Sequence, residues 1–91
     1  MEITLLETKY KIIKNEKEGF DKEEVEKRFD EYFLPYDVIV GDWAYGKLRL
    51  KGFSKKNNKN FKPINDATKI DEYIKNSCAY GCRHFVMEKI K

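Results

Sequence analysis

The spacing of hydrophobic positions changes along this chain, and each change marks an element. Between residues 2 and 14, Ile3, Leu5, Tyr10 and Ile12 stand mostly two apart, the period of one long strand or two short ones. Residues 2–6 can form an additional short strand by themselves. Lys9 and Lys11 then alternate with the core positions and face away, and Asn15–Gly19 reads as a polar connection. From Asp21 the period lengthens. Val25, Phe29, Tyr32 and Phe33 fall on one helical stripe, Asp21 and Glu24 match a capping box, and Phe20 faces Val25 as a hydrophobic staple. Pro35 disfavours helix in the residue before it, so the pattern predicts a helix over about 22–33.

Alternation returns in Tyr36–Phe53, YDVIVGDWAYGKLRLKGF, which predicts a hairpin. A three-residue loop of Ala44, Tyr45 and Gly46 would put Gly46 in the left-handed position. That register pairs Val40 with Leu50 and Asp42 with Leu48. Val38, Val40, Leu48 and Leu50 would line the core, and Ile39, Trp43, Lys47, Arg49 and Lys51 the opposite face. Residues 54–64 read as a mobile Lys/Asn-rich loop. A second helix is predicted over about 67–78, capped by Asp66 or Thr68, with Ile70, Tyr73, Ile74 and Cys78 on its buried side. Gly81 suits a helix stop, and a last strand covers about 82–90. The order is β-α-β-β-α-β. The simplest architecture is an α+β two-layer sandwich of ferredoxin-like topology, spanning residues 1–91 as a single domain without internal repeats.

Composition adds limits. Apolar residues at 41% and aromatics at 14% suffice for a core, so the 38% charged content does not imply disorder. No apolar run has the length of a membrane span, and the N-terminus lacks the pattern of a secretory signal. Two cysteines are too few for a disulfide scaffold, which points to a cytoplasmic protein with reduced thiols.

Charge is segregated. Trp43–Asn65 has no acidic residue and seven basic ones, Lys47, Arg49, Lys51, Lys55, Lys56, Lys59 and Lys62, in a chain whose net charge is +3. Residues 16–31 carry the acidic excess. Lys47, Arg49 and Lys51 with Trp43 and Tyr45 are therefore the candidate contact surface. Lysines and arginine would neutralise phosphates while the aromatic rings stack on bases, so RNA or the ribosome is the expected partner. The same residue types dominate protein interfaces, so another protein is the competing partner. A solvated strand face whose lysines deter edge pairing explains the same alternation without a ligand.

Other chemistry is sparse. Cys78, Cys82 and His84 offer three zinc ligands where structural sites use four, and the simpler reading packs both cysteines as small apolar residues. No metal and no cofactor are expected. Asp42, Arg49 and the single histidine, His84, could form a polar site for a small enzyme. No nucleophile–base pair, phosphate-cradling glycine loop or carboxylate dyad accompanies them, and the balance is against catalysis.

The string Val40–Phe53, VGDWAYGKLRLKGF, resembles the YutD family, supported by Gly19-Phe20, Tyr73-Ile74, Cys78-Ala79-Tyr80-Gly81-Cys82 and Phe85-Val86. The resemblance extends over nearly the whole chain. It implies a small cytoplasmic single-domain protein of the kind found chiefly in Gram-positive bacteria, and carries over no catalytic residue. The expectation is a non-enzymatic binding or regulatory module.

Overall fold

A computed structural model describes residues 1–77 and 82–90. Its strands are β1 (Glu2–Leu5), β2 (Thr8–Glu16), β3 (Val38–Ala44), β4 (Lys47–Phe53) and β5 (His84–Lys89), with helices α1 (Lys22–Arg28) and α2 (Ile70–Ser77). The strands form one antiparallel sheet in the order β1-β2-β5-β3-β4. The α+β class is as expected. The N-terminal segment makes two strands, joined at Leu6 and Glu7, which both hold positive φ (48° and 65°).

The order differs from the ferredoxin-like expectation, where a strand of the central hairpin would lie between the two strands flanking the first helix. Here β5 lies between β2 and β3. Burial accounts for the choice. His84–Met87 and Val38–Asp42 are buried without interruption, so β5 and β3 occupy the middle, while β4, with exposed Lys47 and Arg49, lies at an edge.

The two-layer expectation is also corrected, because the sheet has a helix on each face. Ile39, Phe85, Met87 and Tyr10 pack with Val25 and Phe29 around α1, while Val38, Val40, Phe53 and Val86 pack against Ile70, Tyr73 and Ile74 of α2. Successive residues of a strand point to opposite faces. The uninterrupted run Val38-Ile39-Val40 therefore feeds two cores, and Ile39 is as buried as its neighbours. Each fully buried side chain of this size contributes roughly 1.5–3 kcal/mol relative to exposure.

The helices are shorter than their apolar stripes. Asp21 caps α1 by accepting the Glu24 N–H at 3.2 Å. Asp30, in an extended conformation, accepts the Tyr32 N–H at 2.8 Å and starts a separate 3-10 turn over Glu31–Phe33. This local bond competes with continuation of the helix. Asp66 caps the second helical segment, accepting from the Thr68 N–H at 2.9 Å and the Thr68 hydroxyl at 2.8 Å. A 3-10 turn over Ala67–Lys69 precedes α2. The expectations for Cys78 and Gly81 lie outside the described residues.

Candidate docking surface at the hairpin

The β3–β4 hairpin closes through two residues, Tyr45 and Gly46, with φ of 53° and 74°. Positive φ at both central positions is the mark of a type I′ turn. The expected three-residue loop is thus one residue too long, and the register moves accordingly. Val40 pairs with Lys51, Gly41 with Leu50, Asp42 with Arg49 and Trp43 with Leu48. Directly paired residues share a face. Lys47, Arg49 and Lys51 therefore lie on the α2 side with Val38, Val40 and Asp42. Leu48 and Leu50 lie on the α1 side with Ile39 and Trp43. Trp43 and the basic residues, expected together, are on opposite faces of the sheet.

Trp43 is committed to structure. Its indole N–H donates to the Gly19 carbonyl at 2.7 Å, and the Arg83 guanidinium lies 4.2 Å from its ring. Arg83 in turn donates to the Glu18 carbonyl at 3.1 Å, and its own carbonyl accepts the Trp43 backbone N–H at 3.1 Å. These bonds clamp the start of the first helical region to β3 and β5. At the apex Tyr45 is wholly exposed, at 104% of its reference area.

The basic residues differ from one another. Lys47 is exposed and has no ion-pair partner among the described residues. Arg49 bonds the Asp42 carboxylate, which raises the guanidinium pKa. Lys51 lies 5.5 Å and 5.8 Å from the Phe53 and Tyr73 rings and 3.5 Å from the Asn65 side-chain oxygen. The loop expected to be mobile is tethered at several points. The Lys55 N–H and the Asn58 amide donate to the Asp37 carboxylate at 2.8 and 3.1 Å, and Lys55 pairs with Glu88 at 3.3 Å.

Asp42 and His84 are opposite each other on β3 and β5, so Arg49, Asp42 and His84 form one row across three strands. The expected register, which pairs Asp42 with Leu48, puts Arg49 on the face opposite Asp42, and the two-residue turn brings them onto one face. Asp42 is 1% exposed and His84 6%. The His84 Nδ1 lies 2.9 Å from the Cys82 carbonyl oxygen. Since a carbonyl only accepts, Nδ1 is the donor in this contact. Neither the His84 Nε2 nor the Asp42 Oδ1 has a hydrogen-bond partner among the described residues. Tyr73 sits over this row, its pKa raised first by burial and then by Asp42, with Arg49 opposing.

Cys82 is disulfide-bonded, which corrects the expectation of reduced thiols. A disulfide sulfur is not a thiolate, so Cys82 does not offer the zinc ligand considered above. Cys78 lies outside the described residues, and no metal-binding cluster of three such side chains occurs among those described.

These features define a small α+β domain, a five-stranded antiparallel sheet with a helix on each face and a polar row running across three strands. The chain belongs to the YutD-like family, whose profile, described as "Putative antitoxin YutD-like", matches residues 4–88. It is 37% identical over 89 residues to "Putative antitoxin YutD" of Bacillus subtilis strain 168, covering 98% of each chain. The solution NMR structure of B. subtilis yutD superposes with a TM-score of 0.82 at 36% identity, over 100% of this chain and 83% of that one. Among the described residues no helix is long and apolar enough to cross a membrane.

Proposed function

We propose that this chain is a non-catalytic module that neutralises a protein partner, with the exposed hairpin tip as its anchor. The word antitoxin in the names of the family and of the Bacillus relative supports the kind of partner. The observation that carries the site is Tyr45. A left-handed conformation costs a non-glycine residue about 1–2 kcal/mol, and type I′ turns favour asparagine at this position. The Tyr45 ring is wholly exposed and makes no ring–ring contact among the described residues. A strained backbone presenting a large exposed aromatic ring is the arrangement of a docking anchor. Lys47, near the tip, favours an acidic rim on the partner.

RNA is the second reading, favoured by the common face of Lys47, Arg49 and Lys51. It is the weaker one because Arg49 is paired with Asp42 and Lys51 is held by Phe53, Tyr73 and Asn65.

A photo-crosslinking residue at position 45 in the native cell separates the two. The proposal expects one protein species, absent when the crosslinker is moved to exposed Thr4, and expects Tyr45→Asn to lose that partner while thermal stability rises. Crosslinking to RNA alone would establish the second reading. Binding of the protein species undiminished by Tyr45→Asn would remove the tip from the interface.

A further inference from the structure

A second surface lies below the hairpin. Tyr32, Tyr36, Pro35 and Phe61, with Lys59, Lys62 and Asn60, line an open groove of about 530 Å³. Tyr32 is 67% exposed, its ring centroid 5.8 Å from that of Tyr36 at a tilt of 53°. The tyrosine hydroxyls are 3.4 Å apart.

Both rings are held from behind. Phe33 packs edge-on against Tyr32 at 5.1 Å. Tyr36 lies so close over Gly52 that a Cβ there would come within 2.3 Å of its ring, and the Asn65 amide donates to its hydroxyl at 3.5 Å. The far wall is also fixed, since the Asn60 N–H bonds the Asn58 side chain at 2.7 Å and Asn58 is tied to Pro35 and Asp37. Lys59 and Lys62 are exposed and have no ion-pair partner among the described residues. Glu31 is the one acidic residue in the lining.

We infer that this groove binds a nucleobase together with its phosphate, the base against Tyr32 and Tyr36 and the phosphate between Lys59 and Lys62. The volume lies within the range of small-ligand sites. Flat π-surfaces accept any base by stacking, an asparagine amide offers both a donor and an acceptor to a base edge, and unpaired lysines beside the rings meet the anion. The basic–aromatic combination expected on the hairpin face is thus realised here, where a turn and a loop converge and the sequence pattern gives no hint. The source of the ligand, a free nucleotide or a single-stranded nucleic acid, is left to the experiment.

The test uses the full chain at low salt with fluorescein-labelled octauridylate and octaadenylate, and with AMP followed by aromatic NMR shifts. Binding should weaken roughly tenfold or more in Tyr32→Ala and persist in Tyr32→Phe. The double variant Lys59→Glu/Lys62→Glu should lose most affinity, and neutralising both lysines as Lys59→Gln/Lys62→Gln should flatten the log–log salt slope by about 0.7, the share of one phosphate. Tyr32 and both lysines are exposed, so unchanged melting checks that these variants fold. Tyr45→Asn should have no effect here, which keeps this result separable from that on the proposed partner. Octamer binding much tighter than AMP identifies a strand, and equal binding identifies a free nucleotide. Binding of neither probe, affinity unchanged by Tyr32→Ala, or displacement of the octamer by an oligoglutamate peptide would overturn the inference.

Discussion

Asp42 lies directly opposite Arg49 across the β3–β4 ladder, and its carboxylate, 1% exposed, bonds a guanidinium that is half exposed. The pair therefore joins a buried charge to solvent. Asp42 sits where the sheet leaves the apolar row Val38–Val40, and Arg49 reaches over it from the edge strand.

Removing the arginine leaves the carboxylate without its cation. Arg49→Leu is expected to destabilise the domain by about 2 kcal/mol, below the 3–5 kcal/mol of a fully buried broken pair because solvent reaches this one. For a chain of this length that lowers the melting temperature by about 10 °C. Asp42→Asn should cost less, since Arg49 remains hydrated. Thermal unfolding of both single variants and the double variant gives their coupling.

Tyr10 is fully buried and its hydroxyl has no partner among the described residues. Burial pushes its pKa from 10.0 to about 12. Tyr10→Phe keeps the edge-on contact with Phe29 and removes the unsatisfied group, so it should stabilise the domain by about 1 kcal/mol at neutral pH. The pH dependence has a definite sign. Above pH 10 the unfolded chain ionises this phenol while the folded one retains its proton, so the wild type loses stability between about pH 10 and 12. Melting curves across that window should show the advantage of Tyr10→Phe growing with pH.

The sequence made the α+β class, both caps and the hairpin legible, because each depends on local periodicity or on residues near a turn. The errors came from quantities that periodicity does not encode. One residue more in the predicted turn reversed the faces of β4 relative to Trp43, since the side-chain period of a strand is two. The run Val38-Ile39-Val40 is compatible with burial on one face or on two. Which strands occupy the middle of the sheet depends on the relative burial of distant segments. The Tyr32–Lys59 groove joins residues far apart in sequence through contacts such as that between Asn58 and Asp37.

Asp66 offers a test at the opposite end of the pH scale. Bonds from the Thr68 N–H and hydroxyl hold its carboxyl below the usual 3.8. The folded state thus binds its proton later than the unfolded state, and the stability this carboxylate contributes is present above that value and lost as pH falls through the folded pKa. Asp66→Asn should melt lower than the wild type at pH 6, and the gap should close as the buffer is taken from pH 4 towards pH 2.

Gly19 packs against β5 with no room for a side chain. A Cβ there would meet the His84 backbone nitrogen, carbonyl carbon and oxygen at 2.4–2.6 Å, and backbone atoms cannot rotate away. Gly19→Ala must therefore push the connection before α1 off the sheet. The same movement withdraws the Gly19 carbonyl from the Trp43 indole N–H. Overpacking and the lost bond together should cost about 3 kcal/mol. Trp43 is the chain's only tryptophan, so its emission reports the local event directly. The expected result is a changed emission maximum in the folded variant along with the lower melting temperature. A variant that melts early with unaltered native emission would show that the clamp between Gly19, Trp43 and β5 is not where the strain is released.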